Sequence, residues 1–370
     1  MNTRFELVAT PSRLAEIGPQ WDRLWAGSSL GVFQSHGWVM AWWRSRPESD
    51  RSTLCIGLGW SGDQLTAIVA CVTRWHRGVR VLEWAAKECS DYCDAVVDPN
   101  DARGRAAVAA VWAEMSRAGR FDIAYLSHVR PDASIRLLAG DERRKSVALR
   151  PGPRADKSLQ VRNYEPNGHA WFRSLNKKAR NNHTRGKRIV SESGAVEVRL
   201  YQPDDDIGAV LDRMIVLKRE WLVSTGQSNR LLDNDARTLR ALIAELVRQG
   251  VVQVFSLDCG GAIVAASVNI LHRGRMQAFF ATYDPRFDRA SPGTLIMVEY
   301  LIWAFDHGIA EVDFLCGEEG YKYKFANAQT DLVGYVGART LLGRATLMVG
   351  ERLDWARLAK VELPVVVVEA

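Results

Sequence analysis

The chain lacks the cysteine patterns of a metal site or a disulfide framework. Its six cysteines are Cys55, Cys71, Cys89, Cys93, Cys259 and Cys316, and no two form a CxxC pair. Cys89 and Cys93 stand closest, but no histidine pair lies nearby to complete a zinc site, so no metal is expected. Most read as small buried hydrophobes of a reducing compartment. Cys316 is also weighed as a nucleophile, though no histidine is placed in sequence to activate it. No apolar run approaches the ~18 residues of a membrane span, and 365–368 is far too short. The opening MNTRFELVATPSRL has no apolar h-region, so no secretory signal is expected and a cytoplasmic location is. No heptad run is visible. Charge is not strongly of one sign: 49 Lys and Arg against 43 Asp and Glu leave +6, which does not by itself imply DNA or another nucleic acid as partner.

What is present fits a soluble enzyme. The 370 residues suffice for two ordinary domains, and 47% hydrophobic with 25% charged residues is a globular balance. The 13 tryptophans scatter and read as core. Residues 5–9 read as a strand, 12–26 and 35–46 as helices. A hairpin is expected over 53–58 and 65–75, strands at 79–84 and 95–97, a helix at 102–118 and a strand at 121–126. A short helix at 132–139 is read as capped by Asp132. The order then repeats: strand 195–201, helices 204–224 and 234–248, a hairpin of 251–257 with 262–271, and strand 276–283. Ile68-Val69-Ala70 and Ile263-Val264-Ala265 follow glycine-containing turns in the two hairpins, an echo that suggests duplication. Arg150–Asp156, RPGPRAD, reads as the link between halves.

The most informative stretch is 281–325, ATYDPRFDRASPGTLIMVEYLIWAFDHGIAEVDFLCGEEGYKYKF. A strand ends at Tyr283-Asp284-Pro285, where Asp284 reads as a turn residue. Ser291 is a good N-cap and Pro292 suits the first helical position. LIMVEYLIWAF is apolar on nearly every face, so the helix should be buried, and Gly308 closes it. Its N–H groups at Gly293, Thr294 and Leu295 can hold an anion such as a pyrophosphate, or simply open a core helix. Glu299, the charge inside that helix, must be paired if buried. A strand ending at Asp313-Phe314 leads to Glu318, Glu319, Tyr321 and Lys322. Upstream, 171–190 carries seven Lys or Arg and no acidic residue. Unbalanced like charge on a helix repels, so a phosphate-rich ligand is favoured over a merely solvated face.

These motifs resemble the GNAT-fold acetyltransferases of the cellulose-biosynthesis (CelD-like) type, relatives of the FemABX peptidyltransferases. The C-terminal blocks Tyr283-Asp284-Pro285, Ser291-Pro292-Gly293, Asp313-Phe314, Gly317-Glu318-Glu319 and Tyr321-Lys322 carry the likeness. So does Leu175-Asn176-Lys177-Lys178-Ala179-Arg180-Asn181-Asn182, similar to the family's LSKKxRxN helix. Phe33-Gln34-Ser35, Trp38, Trp42-Trp43 and Ser90-Asp91-Tyr92 with Asp94 form a looser N-terminal echo.

The resemblance implies an α/β fold with mixed α+β character, in tandem GNAT-like domains, each a mixed sheet flanked by helices. Residues 1–150 would form the first domain, 151–345 the acyltransferase domain, and 346–370 a C-terminal helix and tail. It implies acyl transfer from acetyl-CoA or another acyl-CoA to an amine, on a small molecule or an envelope or exopolysaccharide glycan precursor. Lys322 is then the cation, Tyr321 a proton donor, and Asp313, Glu318 and Glu319 candidate bases or acceptor binders. Ser291, Gly293, Thr294 and Leu295 would hold the donor, and Lys178, Arg180, Asn181 and Arg185 the substrate. One departure stands out: the family's (Q/R)xxGx(G/A) pyrophosphate loop is replaced by RFDRASPGT, with one glycine and a proline. A tRNA-dependent aminoacyl transferase of FemABX type, whose loop also departs, and a non-catalytic GNAT-like binding protein are the alternatives.

Overall fold

The computed structural model describes residues 3–98, 102–139, 146–202, 204–226 and 229–352. Two compact units result: one takes in the chain up to Asp156 and again from Asp331, the other is Lys157–Thr330. In the first unit, strands Thr3–Val8, Thr53–Ser61, Gln64–His76, Val79–Trp84 and Ile123–Val129 lie side by side, followed by 331–338 of strand Ala328–Ala338. Neighbours are antiparallel except Val79–Trp84 with Ile123–Val129. Helix Ala102–Ala118 makes the crossover that a parallel pair requires.

The second unit repeats this plan. Residues 157–162 of strand Arg150–Arg162 lie beside Glu311–Cys316, then Arg275–Tyr283, Ala262–His272, Val252–Cys259 and Val196–Leu200. Its one parallel pair, Arg275–Tyr283 with Glu311–Cys316, is joined by helix Pro292–Asp306. Both units are thus mixed α/β: a hairpin, a third strand, a helix and a parallel strand. The Ile-Val-Ala echo falls on the second strand of each hairpin.

Helix Pro292–Asp306 is buried along most of its length and fills the second core with Phe255, Leu257 and Val264. The first core gathers Trp84, Trp112 and Phe121 around helix Ala102–Ala118. Trp21, Trp38 and Trp42 are fully buried as expected, but Trp75 is 64% exposed.

Several expectations need correction. The helix read over 12–26 is two, Pro11–Glu16 and Gly18–Gly27, because Pro19 lacks the N–H that would continue the first. Arg150–Asp156 does lead from the first unit to the second, which begins at Lys157, but as the start of strand Arg150–Arg162 rather than as a proline-marked loop. The short helix at 134–138 is a 3₁₀ turn capped by Asp94, not Asp132: Asp94 accepts the N–H groups of Ser134 and Ile135 at 2.8 and 2.9 Å. The terminal helix starts earlier, at Leu341–Arg352, and 353–370 lie outside the described residues.

Candidate functional site

The basic stretch forms two helices, Gly168–Ser174 and Lys177–Ser191, rather than one. Asn167 and Asn176 cap them, their side-chain oxygens accepting the N–H groups of Ala170 and Ala179 at 2.8 and 2.9 Å. Helix Lys177–Ser191 runs against the start of helix Pro292–Asp306 at Gly186. A Cβ there would lie 2.6 Å from the Ala290 carbonyl and 2.9 Å from Leu295 Cδ2.

Beside this crossing lies a cavity of about 390 Å³. Lys178 and Arg185 reach it from the helix, Arg289 and Lys324 from the segments opposite, and Ser291, Thr294 and Leu295 form part of its wall. No carboxylate is among its described lining residues. Residues expected separately for donor and substrate therefore share one space. Gly293, Arg180 and Asn181 do not line it. Arg180 turns its guanidinium back to the carbonyls of Leu175, at 2.9 Å, and Arg173, and Asn181 is exposed.

Ser291 does not cap the helix with its side chain. Its backbone is left-handed, φ 51 and ψ 56, outside the extended region from which a hydroxyl reaches the first-turn N–H groups. Its carbonyl instead accepts from Thr294 and Leu295 at 2.9 and 3.1 Å. Two of the three N–H groups expected to hold an anion are thus engaged, and the cavity's positive character comes from side chains.

Glu299 is paired, as burial requires. His183 Nε2 lies 2.9 Å and Lys187 Nζ 2.5 Å from its Oε1. Burial pushes this carboxyl up, but hydrogen bonds from His183 and Lys187 and the Lys187 charge hold it below its ordinary 4.5. Its folded value is depressed, so the stabilisation is present above the unfolded value and lost as pH falls through the folded one. Unfolding titrations should show stability falling from about pH 4.5 downward. Glu299→Gln should remove about 2 kcal/mol at neutral pH and flatten that acid limb. An acid limb of unchanged slope would refute the assignment.

The end of strand Glu311–Cys316 holds a second cluster. Asp313 is buried, and its Oδ1 accepts from Ser158 Oγ at 2.7 Å and from the Leu315 N–H at 2.9 Å. Leu315 has φ 60, and the pairing register shifts between Asp313 and Cys316. Asp313 thereby anchors a bulge, an environment suited to a fixed carboxylate rather than a mobile base. Glu318 is exposed, 3.3 Å from Lys157 Nζ and accepting from the Tyr323 hydroxyl at 2.6 Å.

Glu319 and Lys322 turn inward. Lys322, 1% exposed, places Nζ 2.8 Å from Glu319 Oε2 and donates to the Cys316 carbonyl at 2.9 Å. Burial pushes the Tyr321 phenol well above its ordinary value, with Tyr300 and the Glu319 charge adding to the effect, so it stays an O–H donor at neutral pH. Lys218, which sequence reading missed, is also 1% exposed. Burial pushes its ammonium down to about 8, against the pull of the Glu319 charge. Its signal was available: Lys218 occupies the apolar stripe of Met214, Ile215, Trp221 and Leu222 on helix Gly208–Thr225. Arg289 and Lys324 were also missed. Cys316 is half-buried, and the other five cysteines are buried and free. Among the described residues no group of three or more His, Cys, Asp or Glu is placed to hold a metal, and no helix is long and apolar enough to cross a membrane.

Residues 177–323 match the family described as Acetyltransferase (GNAT) domain, a span of under half the chain. No curated protein matches. Among solved structures, FemX is similar over 94% of this chain and 99% of its own, at 8% identity and a TM-score of 0.59. A tandem GNAT protein from the clavulanic acid biosynthesis pathway aligns over 92% and 99%, at 12% identity and a TM-score of 0.51. The C-terminal DUF2156 domain of a putative lysylphosphatidylglycerol synthetase from Agrobacterium fabrum aligns over 92% and 96%, at 10% identity and 0.52. At such identities the likeness speaks for fold alone. Residues 177–323 are thus similar to a GNAT acetyltransferase domain, within a fold shared with a tandem GNAT protein and with FemX.

Proposed function

We propose that this protein is a cytoplasmic N-acyltransferase that moves an acetyl or longer acyl group from acyl-CoA to an amine. The observation that carries this reading is the cavity in which Lys178, Arg185, Arg289 and Lys324 converge on the start of helix Pro292–Asp306. Four cations without a lining carboxylate suit the phosphates of a CoA-like donor, and the arginines add bidentate contacts. The acceptor nitrogen attacks the thioester carbonyl, loses a proton, and the thiol leaves carrying one. Lys322 stabilises the negative charge that builds on the carbonyl oxygen, and Tyr321 supplies the proton to the leaving sulfur. The finer reading, a CelD-like enzyme acting on an exopolysaccharide amino-sugar, rests on the 175–182 and 313–322 motifs.

Calorimetry with acetyl-CoA tests the donor. The wild-type protein should bind it, and Arg185→Ala should weaken binding about tenfold through loss of one charge-assisted contact. Folded protein that binds no acyl-CoA removes this reading. It would favour the aminoacyl-tRNA alternative, for which Lys177, Lys178 and Arg185, exposed on one helix, offer a basic surface to a polyanion.

A further inference from the structure

The first unit holds a cavity of its own, of about 440 Å³. That volume falls within the ~300–1,000 Å³ of small-molecule sites. Helix Gly18–Gly27 lines it with Gln20, Arg23 and Leu24, the first hairpin with Asp63 and Leu65, and Asp98 completes the wall. The start of helix Ala102–Ala118 holds these parts together. A Cβ on Gly104 would lie 3.2 Å from the Thr66 carbonyl oxygen and 3.5 Å from that of Asp98.

The chemistry of this wall is the reverse of the cavity beside helix Lys177–Ser191, where four cations meet no carboxylate. Here one guanidinium, Arg23, faces two carboxylates, Asp63 and Asp98. Arg23 and Asp63 share the cavity, yet neither forms an ion pair with the other or with another described residue. Gln20 adds a second observation: its Oε1 is buried without a hydrogen-bond partner. A buried amide oxygen left without a donor is costly, and such orphans are rare in native proteins. A ligand N–H in the cavity would remove that cost.

We propose that this cavity binds a small diamino acid, a molecule with two ammonium groups and one carboxylate. Arg23 takes the carboxylate in a two-point contact. Asp63 takes one ammonium and Asp98 the other, since the two oxygens of a carboxylate accept from several donors. Gln20 Oε1 accepts a further ammonium N–H. Leu24 and Leu65, both buried, give the methylene chain an apolar wall. The charges of wall and ligand then cancel. A phosphate ester or a CoA-like donor would instead meet two like charges here.

The test is calorimetry on the full chain with L-ornithine, with putrescine, which lacks the carboxylate, and with 5-aminopentanoate, which lacks the second ammonium. Ornithine should bind about tenfold more tightly than either, one charge-assisted contact being lost in each analogue. Arg23→Ala should bring ornithine down to the level of putrescine, and Asp63→Asn should weaken it about tenfold. Arg23 and Asp63 are exposed, so neither change should move the unfolding temperature. Gln20→Met should weaken ornithine binding yet raise the unfolding temperature of the unliganded protein, because it removes the stranded oxygen. None of these residues lines the cavity of Arg185, so Arg185→Ala should keep ornithine binding. Folded protein that binds no ornithine overturns the proposal. So does ornithine bound no more tightly than putrescine, binding untouched by Arg23→Ala and Asp63→Asn, or binding lost in Arg185→Ala.

Discussion

Lys322→Met combined with Glu319→Gln should lower the turnover of acyl-CoA-dependent N-acylation about 100- to 1000-fold, with donor affinity changed far less. The size follows from losing a cation that acts on the oxyanion of the transition state, ~2.7–4 kcal/mol. The double substitution is needed because Lys322 is buried against Glu319. Lys322→Ala alone would strand the carboxylate and cost about 3–5 kcal/mol of stability, which would hide the catalytic effect. The pair keeps volume and removes both charges. The Lys322 ammonium donates to the Cys316 carbonyl and lies 2.8 Å from Glu319, so its charge is held in place at the end of strand Glu311–Cys316. Lys322→Arg should restore little, since the wider guanidinium does not fit a pocket closed around an ammonium. Steady-state turnover within a factor of two of wild type, in a stably folded double variant, would reduce Lys322 to a packing role.

A large loss of stability is also expected at Gly186. Gly186→Val places a Cβ where the Ala290 carbonyl oxygen stands 2.6 Å away. That atom is backbone and cannot swing aside, so helix Lys177–Ser191 must move off the segment before Ser291. Overpacking of this kind costs ~3 kcal/mol, at the upper end for an inserted side chain. The same shift carries Lys178 and Arg185 away from Ser291 and Thr294, so acetyl-CoA affinity should fall with stability. Denaturant unfolding and calorimetry on one preparation would check both. A change of less than about 0.5 kcal/mol would mean the crossing is not as close as described.

How much could be read from residues alone varies with the range of the interaction. Helix Ala102–Ala118 was legible to the residue, because its periodicity and ends are local. Helix Pro292–Asp306 was legible from its apolar run, but the backbone of Ser291 was not: a left-handed serine is set by the packing of Ala290 and Gly186 around it. Strand Arg150–Arg162 was hidden by Pro151 and Pro153, which read as loop residues. The cap from Asp94 crosses 40 residues of sequence, so the nearer Asp132 looked the better candidate. At the site, Lys178, Arg185, Ser291 and Thr294 were each identified but could not be placed together. Arg289 and Lys324 were overlooked, since nothing local marks a cation whose meaning comes from its neighbours across a cavity.

The position of residues 331–338 bears on the order of events during synthesis. The first unit is closed by a strand made only after the whole of the continuous stretch Lys157–Thr330. As the chain leaves the ribosome, the N-terminal sheet must wait with the edge of Ile123–Val129 unpaired until that late strand arrives. The intervening stretch can fold during the wait. An exposed strand edge held open for that interval is a site for wrong pairing between nascent chains. The cell's demand for chaperones should therefore fall on the half of the molecule made first.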